Sequence, residues 1–405
     1  MSQQIDRLPG MHDSFGEAIE RLRETAESIG AFLQDQSYTL IDTPILEETE
    51  LFVRKSGGEM TSRLYSFSEP GGRRVSLRPE FTPSVIRYFL QERNSVTLPV
   101  RWWYTGPVFR YEQSENGGYQ QFTQLGAELV GSGGVEADAE VIRLAVDALR
   151  HIGLEGLQLK VGHLGALHGI LDSFQLSEPA KLFILGNVQT IKTVETGPVA
   201  LTERAADLGI LGGNSGAAAR AALSEMTLEG AQEFVKDVLS ESLPLPIGRR
   251  STEQIVARLL RKVGDADDPK VFAAALEVTR EIVSLDGPPE TVVREARRVA
   301  SSHGIGDRHF DELESLFALV HEADATLDLG HARGIAYYTG VIFDLSHAGA
   351  DGSDRLLGGG GRYDELVRVL GGDENAPAAG FACTLEQVVA CLSVSASTSQ
   401  ASVAS

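Results

Sequence analysis

The chain has 405 residues, enough for two or three domains, and its 42% hydrophobic and 23% charged residues form an ordinary globular composition. It contains no apolar run long enough to span a membrane and no secretory signal at Met1 to Gln4, so we expect a soluble cytoplasmic protein. Two cysteines, Cys383 and Cys391, exclude a disulfide framework and lack metal-ligand neighbours. No metal is therefore expected, and we also expect no cofactor.

The net charge of −21 argues against a large nucleic-acid footprint, because phosphate binding depends on clustered Lys and Arg. A local basic patch on an acidic protein remains compatible with this charge. The simpler interpretation is a solvated acidic surface.

The first 150 residues alternate between helical and strand-like patterns. Apolar residues three and four apart predict a helix over 14–35, with Ser14 and Glu17 at capping-box spacing. Further helices are predicted over 45–52, from Pro83 to near Leu90, and over 136–150. Strands are predicted at 38–41, 64–67, 74–77, 100–104, 108–111 and 122–130. Strands joined mostly by hairpins, with helices interspersed, predict an α+β domain on a mainly antiparallel sheet.

The middle of the chain, 156–324, is rich in Leu, Ala and Glu and is predicted to be a helical insertion. Helical periodicity recurs at 228–239, 254–263, 271–283 and 291–301. Strand patterns return at Ala325. We therefore expect one domain built from 1–155 and 325–392, with a Ser/Ala-rich disordered tail at 393–405.

Four successive glycines, Gly358 to Gly361, follow a strand-like segment at 341–345. Glycine weakens a strand and offers no side chain for packing. The run therefore indicates either a tight hairpin or the close approach of a ligand or another segment. Tyrosines and arginines nearby favour a pocket for a small, flat, polar ligand.

Four polar residues in the first domain could line such a pocket, although each also has an ordinary structural explanation. Glu80, at a strand-to-helix junction, could be a helix-start carboxylate, and Arg110 could form a surface ion pair. Gln124 and Glu128 are four apart on a predicted strand, so they would face the same side of the sheet.

Several motifs in the same order resemble the catalytic core of class II histidyl-tRNA synthetases, over most of 7–150 and 325–392. Leu77 to Thr82 resembles the amino-acid-binding loop, and Gly106 to Glu112 with 122–131 resembles class II motif 2. Arg333 to Gly340, extended by 359–366, resembles the histidine-recognition motif, and Gly380 to Gln387 occupies the place of motif 3.

This resemblance implies a class II synthetase-like core, with a mainly antiparallel sheet flanked by helices, and a histidine pocket. The positions that match this pocket are Glu80, Thr82, Arg110, Gln124, Glu128, Arg333, Tyr337, Tyr338 and Tyr363. Carboxylates can hold the N–H groups of an imidazole, tyrosine faces can cover the ring, and an arginine can bind the α-carboxylate.

Other positions depart from the family pattern. Gly118 and Gln120 stand where arginines are typical, Gln387 replaces the motif 3 arginine, and Ala336 replaces an aspartate. A charge-assisted hydrogen bond contributes roughly 1.5–3 kcal/mol, so these losses imply weak adenylate formation. The short tail after Leu392 implies that no anticodon-binding domain is present.

A histidine pocket with these losses resembles a paralogous family, the regulatory subunit of ATP phosphoribosyltransferase. That resemblance implies a non-catalytic subunit in the first step of histidine biosynthesis, without aminoacylation activity. It would form a self-dimer, activate a short-form catalytic subunit within a hetero-octamer, and transmit feedback inhibition by histidine as effector. Neither tRNA nor a membrane is expected as a partner. The alternatives are a truncated histidyl-tRNA synthetase-like enzyme that activates histidine, and a scaffold that binds no amino acid.

Overall fold

A computed structural model describes residues 5–54, 61–111, 119–211, 267–322, 324–331, 337–348 and 354–392. Contacts divide the chain into two compact units. Unit 1 comprises Met1–Gly165, Asp286–Arg294 and Phe310–Ser405, and unit 2 comprises Ala166–Leu285 and Glu295–His309. No helix within these described ranges has the length and apolarity needed to cross a membrane.

The described strands are short at the sheet edges and long at the centre. They are β1 (Thr39–Leu40), β2 (Leu46–Glu48), β3 (Ser66–Ser68), β4 (Arg74–Leu77), β5 (Val100–Phe109), β6 (Gln121–Val130), β7 (Leu157–His163), β8 (Asp286–Gly287), β9 (Ala325–Asp328), β10 (Val341–Ala348), β11 (Asp354–Arg362) and β12 (Ala378–Thr384).

The described helices lie mostly between strands. They are α1 (Glu17–Asp35), α2 (Thr49–Val53), α3 (Thr82–Glu92), α4 (Val135–His151), α5 (Leu164–Leu171), α6 (Glu178–Leu185), α7 (Val188–Thr193), α8 (Gly197–Asp207), α9 (Pro269–Val283), α10 (Pro289–Ser302), α11 (Asp311–Val320) and α12 (Leu366–Val369). A 3₁₀ turn covers Arg308–Phe310, and a further helix spans 385–392.

A nine-stranded sheet forms the frame of unit 1, in the order β1-β5-β6-β12-β11-β10-β7-β9-β8. Its neighbours pair antiparallel, except that β1 with β5 and β7 with β9 are parallel. A separate three-stranded sheet has the order β2-β4-β3. The predicted α+β fold on a mainly antiparallel sheet is therefore confirmed.

Helices α1, α4 and α11 cover one face of the large sheet. The core on this side includes Leu125, Ala127 and Leu129 of β6, together with Ile29 and Leu33 of α1. Because side chains alternate along a strand, the even-numbered residues of β6 face the opposite side. This alternation puts Gln124 and Glu128 together on that opposite face, where α3 and α12 pack, as their spacing predicts.

Two local predictions are wrong. Helix α1 begins at Glu17 with Gly16 at its N-cap and no side-chain cap, so Ser14 and Glu17 form no capping box. The segment predicted as a helix over 45–52 starts instead as β2, which pairs with β4, and becomes helical only at Thr49. Tertiary pairing overrides local helical preference there.

Unit 2 is helical in its described part. Helix α9 packs against α7 and α8, and Phe272 of α9 is fully buried. Ser177 caps α6, and its own N–H and hydroxyl donate to Asp267 at 2.7 and 2.6 Å. The predicted helices over 271–283 and 291–301 correspond to α9 and α10, whereas those over 228–239 and 254–263 lie outside the described residues.

Gly30 provides a test of the packing between α1 and the sheet. A Cβ at this position would overlap the ring of Trp103, which is only 5% exposed. We predict that Gly30→Ala lowers the free energy of unfolding by about 1–3 kcal/mol, because overpacking outweighs the better helix propensity of alanine. Urea unfolding measures this change.

The neighbouring exposed residue, Ala31, supplies the control. Ala31→Gly reports the propensity difference alone, about 1 kcal/mol, at the same depth in the helix. A Gly30→Ala protein more stable than the parent by that amount would contradict this packing.

Candidate functional site

Glycines of β11 and β12 form the floor of a cavity on the face of the sheet opposite α1 and α4. A Cβ on Gly380 would overlap the carboxylate of Glu128, and one on Gly361 would lie 2.9 Å from the ring of Tyr338. The glycine run lies within β11, between β10 and β12, so it is not a hairpin turn. These glycines are needed because other side chains cross the sheet surface above them.

The cavity has a volume of about 130 Å³. Its walls include seven of the nine residues expected in the pocket: Glu80, Thr82, Arg110, Gln124, Tyr337, Tyr338 and Tyr363. Glu128 lies directly behind this lining, with 1% of its surface exposed. Arg333 lies outside the described residues.

The segment between β4 and α3 is held over the sheet by Arg78, which sequence reasoning missed. Arg78 is 2% exposed, donates from Nε to the carbonyl oxygen of Pro107 at 3.0 Å, and lies 3.8 Å above the ring of Phe81. The Phe81 N–H in turn donates to Gln124 Oε1 at 3.2 Å. These contacts fix the residues on either side of Phe81, Glu80 and Thr82, at the cavity wall.

Glu128 is a buried carboxylate surrounded by hydroxyl donors. Oε1 accepts hydrogen bonds from Thr82 at 2.6 Å and from Tyr104 at 3.0 Å, and Oε2 accepts one from Tyr363. Burial raises the pKa of Glu128 from 4.5 to about 7; the three hydroxyls oppose this shift, and nearby Glu80 adds to it. The group can therefore change charge near neutral pH. Tyr104 was not predicted, because its position in a hydrophobic strand gives no polar signal.

Three tyrosines and Glu80 form one end of the cavity. Tyr337 donates to Glu80 Oε2 at 2.9 Å. The ring centroids of Tyr337, Tyr338 and Tyr363 lie between 5.0 and 6.5 Å apart. Aromatic faces with adjacent carboxylate acceptors suit a small planar ring that carries N–H donors.

Arg110 and Phe122 form the other end. Arg110 donates from Nε to the carbonyl oxygen of Pro79 at 2.9 Å, which fixes its guanidinium 5.2 Å from the centroid of the Phe122 ring. The neighbouring Thr123 N–H donates to both carboxylate oxygens of Glu386, at 2.8 and 3.0 Å. A positive charge beside a half-buried aromatic ring suits an anion attached to a planar base.

Within the described ranges, His168, Asp172 and Glu178 bring potential metal ligands together in unit 2. Lys181 already pairs with both carboxylates, at 2.6 Å from Asp172 and 2.8 Å from Glu178. The group is better described as an ion-pair network than as a metal centre.

Comparison with known proteins now defines the family. The family model for histidyl-tRNA synthetase matches residues 10–246 and 249–388. A histidine–tRNA ligase of Thermococcus kodakarensis is 31% identical over 95% of this chain and 74% of its own length. The chain belongs to the histidyl-tRNA synthetase family.

Solved structures of this family share the fold. One from Bacillus halodurans, described as an ATP phosphoribosyltransferase regulatory subunit/histidyl-tRNA synthetase, has a TM-score of 0.67 and covers 97% of this chain and 84% of its own, at 22% identity. A histidine–tRNA ligase subunit of Alicyclobacillus acidocaldarius has a TM-score of 0.56 at 25% identity, covering 97% and 98% of the two chains. The class II core expected from the motifs is thus confirmed.

The prediction of a non-catalytic regulatory subunit is wrong. The predictions that depend on it are also wrong: a phosphoribosyltransferase partner in a hetero-octamer, histidine as a feedback effector, and no binding of tRNA. The relatives that match along almost the whole chain are histidine–tRNA ligases, an enzyme family. The alternative, a histidyl-tRNA synthetase-like enzyme, fits these relatives better.

The physical reason for this error lies in the replaced arginines. Their loss removes possible phosphate contacts, yet substitutions at single positions do not define a family. Gln120 accepts a hydrogen bond from Tyr65, and Gln387 accepts one from Arg355 at 3.4 Å, so both have partners within the fold. Gly118 and Ala336 lie outside the described residues. Net charge is an equally poor predictor of tRNA binding, because it averages over the whole protein surface.

The raised pKa of Glu128 predicts a pH-dependent stability. Below pH 4.5 the carboxyl is protonated in the folded and unfolded states, so its contribution is fully present. As pH rises towards about 7, only the unfolded chain releases the proton, and folding stability falls. The expected loss is about 3 kcal/mol.

Glu128→Gln removes this titration while leaving every other titratable group in place. Urea unfolding of both proteins from pH 4.5 to pH 8 measures the difference in their free energies of unfolding. We predict that the parent protein loses stability relative to Glu128→Gln across that range. A difference independent of pH would show that Glu128 titrates normally.

Proposed function

We propose that this protein activates histidine with ATP and transfers it to tRNA. The observation that carries the proposal is the cavity with two chemically distinct ends. One end combines tyrosine rings with carboxylates, and the other combines Arg110 with Phe122. The names of the relatives support the same reaction.

In this proposal the imidazole of histidine lies among Tyr337, Tyr338 and Tyr363. Its N–H groups donate to Glu80 and Glu128. Contact with Glu128 requires a small shift of the hydroxyl groups that now cover this carboxylate. The two carboxylates also attract a protonated imidazole. Thr82 and Gln124 position these groups through their hydrogen bonds.

The proposed chemistry is adenylation. A carboxylate oxygen of histidine attacks the α-phosphorus of ATP, the bond to the bridging oxygen breaks, and pyrophosphate leaves. Arg110 stabilises the negative charge that develops on the α-phosphate, and Phe122 supports the adenine ring. Arg333 is proposed to bind the histidine carboxylate. The second step forms an ester between histidine and tRNA. The protein is proposed to work in the cytoplasm.

Histidine-dependent exchange of pyrophosphate into ATP tests the first step. We predict exchange with histidine above the background without amino acid. Glu128→Gln should raise the KM for histidine roughly 10- to 100-fold, since one charge-assisted hydrogen bond is lost. Arg110→Lys should mainly lower kcat, because lysine lacks the fixed fork that meets the phosphate.

Glu140→Gln serves as the control, because Glu140 pairs with Arg101 on the face of the sheet that α1 and α4 cover, away from the cavity. It should leave both kinetic constants within about twofold. A folded parent protein that gives no histidine-dependent exchange would rule out the proposed activity.

A further inference from the structure

Tyr363 lies between two charged residues, Arg362 and Asp364, which pair with each other. Its hydroxyl reaches Glu128 on the cavity face of the sheet. The side chain of Arg362 lies on the other face, where it contacts α4. Tyr363 follows the last residue of β11, where the ladder with β12 ends at Arg362. One further backbone hydrogen bond, from the Tyr363 N–H to the carbonyl oxygen of Ala378 at 2.8 Å, continues beyond this ladder.

Arg362 is the centre of an ion cluster with the buried Asp138 and the partly exposed Asp364. Its Nε donates to Asp138 Oδ1 at 2.8 Å, Nη2 lies 2.6 Å from the same oxygen, and Nη1 donates to Asp364 Oδ1 at 3.0 Å. Nη2 also donates to the carbonyl oxygen of Gly134 at 3.3 Å. Arg362 is 7% exposed and Asp138 is 9% exposed, so all three arms of the guanidinium are held in a fixed plane.

The same cluster holds the backbone on both sides of the tyrosines. Asp364 accepts a hydrogen bond from the Ala378 N–H at 2.9 Å, and its own N–H donates to the Thr339 hydroxyl at 3.2 Å. Thr339 also donates its N–H to the carbonyl oxygen of Arg362 at 2.8 Å. Thr339 directly follows Tyr337 and Tyr338, so both tyrosine segments are anchored to one cluster.

A buried ion pair contributes little net stability, because desolvation offsets most of the attraction. Replacing both partners with uncharged side chains is often neutral, whereas removing one partner is strongly destabilising. The value of this cluster therefore lies in the orientation that it imposes on the residues between its members.

We propose that Arg362, Asp138 and Asp364 act as positioning residues that align Tyr363, and with it Glu128, for histidine binding. The inference rests on the proposed function and extends it to residues that touch neither the cavity nor a substrate. Loss of the cluster should allow Tyr363 to move away from Glu128, although the sheet and its core stay intact.

The double variant D138N/R362M tests this role, because it removes the two buried charges together and keeps their approximate volumes. We predict a melting temperature close to that of the parent, a KM for histidine raised roughly 10- to 100-fold, and kcat within about threefold in pyrophosphate exchange. A parent-like KM in a folded double variant would overturn the proposal.

A matched control lies two residues along the same helix. Glu140 of α4 binds Arg101 of β5 in a bidentate pair at 2.7 and 2.9 Å, without contact to either tyrosine segment. R101M/E140Q removes a bidentate but more exposed ion pair and should keep KM within about twofold. An equal rise in KM in both double variants would assign the effect to general loosening, and would also overturn the proposal.

Should D138N/R362M fail to fold, Arg362→Lys decides the question, because lysine keeps the charge and loses the planar fork. An unchanged KM in Arg362→Lys would then overturn the proposal, and a raised KM would support it.

If the parent itself shows no histidine-dependent exchange, the proposed function fails separately. Crystal structures of the parent and of the variant then decide: a Tyr363 hydroxyl still bonded to Glu128 overturns the positioning role, and a displaced one supports it.

Discussion

The burial of one carboxylate, that of Glu128, constrains most of the site. A carboxylate without water needs hydrogen-bond donors, and here they are hydroxyls from three distant parts of the chain: Thr82, Tyr104 and Tyr363. The carboxylate also requires a glycine opposite it at Gly380, because any larger residue would overlap it. The position of this group therefore links β5, β6 and β12 to the start of α3 and to the residue that follows β11.

Two buried arginines outside the cavity support this arrangement from different sides. Arg78 holds the segment that carries Glu80 and Thr82, through the Pro107 carbonyl and the Phe81 ring. Arg362 holds the segment that carries Tyr363, through Asp138 on the other face of the sheet. In both cases a planar guanidinium joins the end of a strand to a neighbouring segment of the chain.

Sequence reasoning was most successful where periodicity reports a single face. The spacing of Gln124 and Glu128 predicted that they share a face, and the apolar stripe of α1 predicted Ile29 and Leu33 in the core. It failed for the segment at 45–52, because the pairing of β2 with β4 depends on residues far along the chain. It also missed Arg78 and Tyr104, whose roles arise only when buried strands meet.

The functional error has a different origin. Motif resemblance predicts the pocket residues, and the replaced arginines are a weaker guide to function than the residues that remain. Because Glu386, one residue before Gln387, still holds the start of β6, the frame around that end of the cavity is retained despite the substitution. A missing side chain changes one contact, whereas the family is defined by the whole set of paired strands and site residues.

A crystal structure of the protein with bound histidine tests the central claim most directly. The account predicts the imidazole among Tyr337, Tyr338 and Tyr363, with its ring nitrogens about 2.7–3.2 Å from carboxylate oxygens of Glu80 or Glu128 and its carboxylate towards Arg110. A ring bound at the Arg110 and Phe122 end, or no histidine in the cavity at saturating concentration, would contradict it.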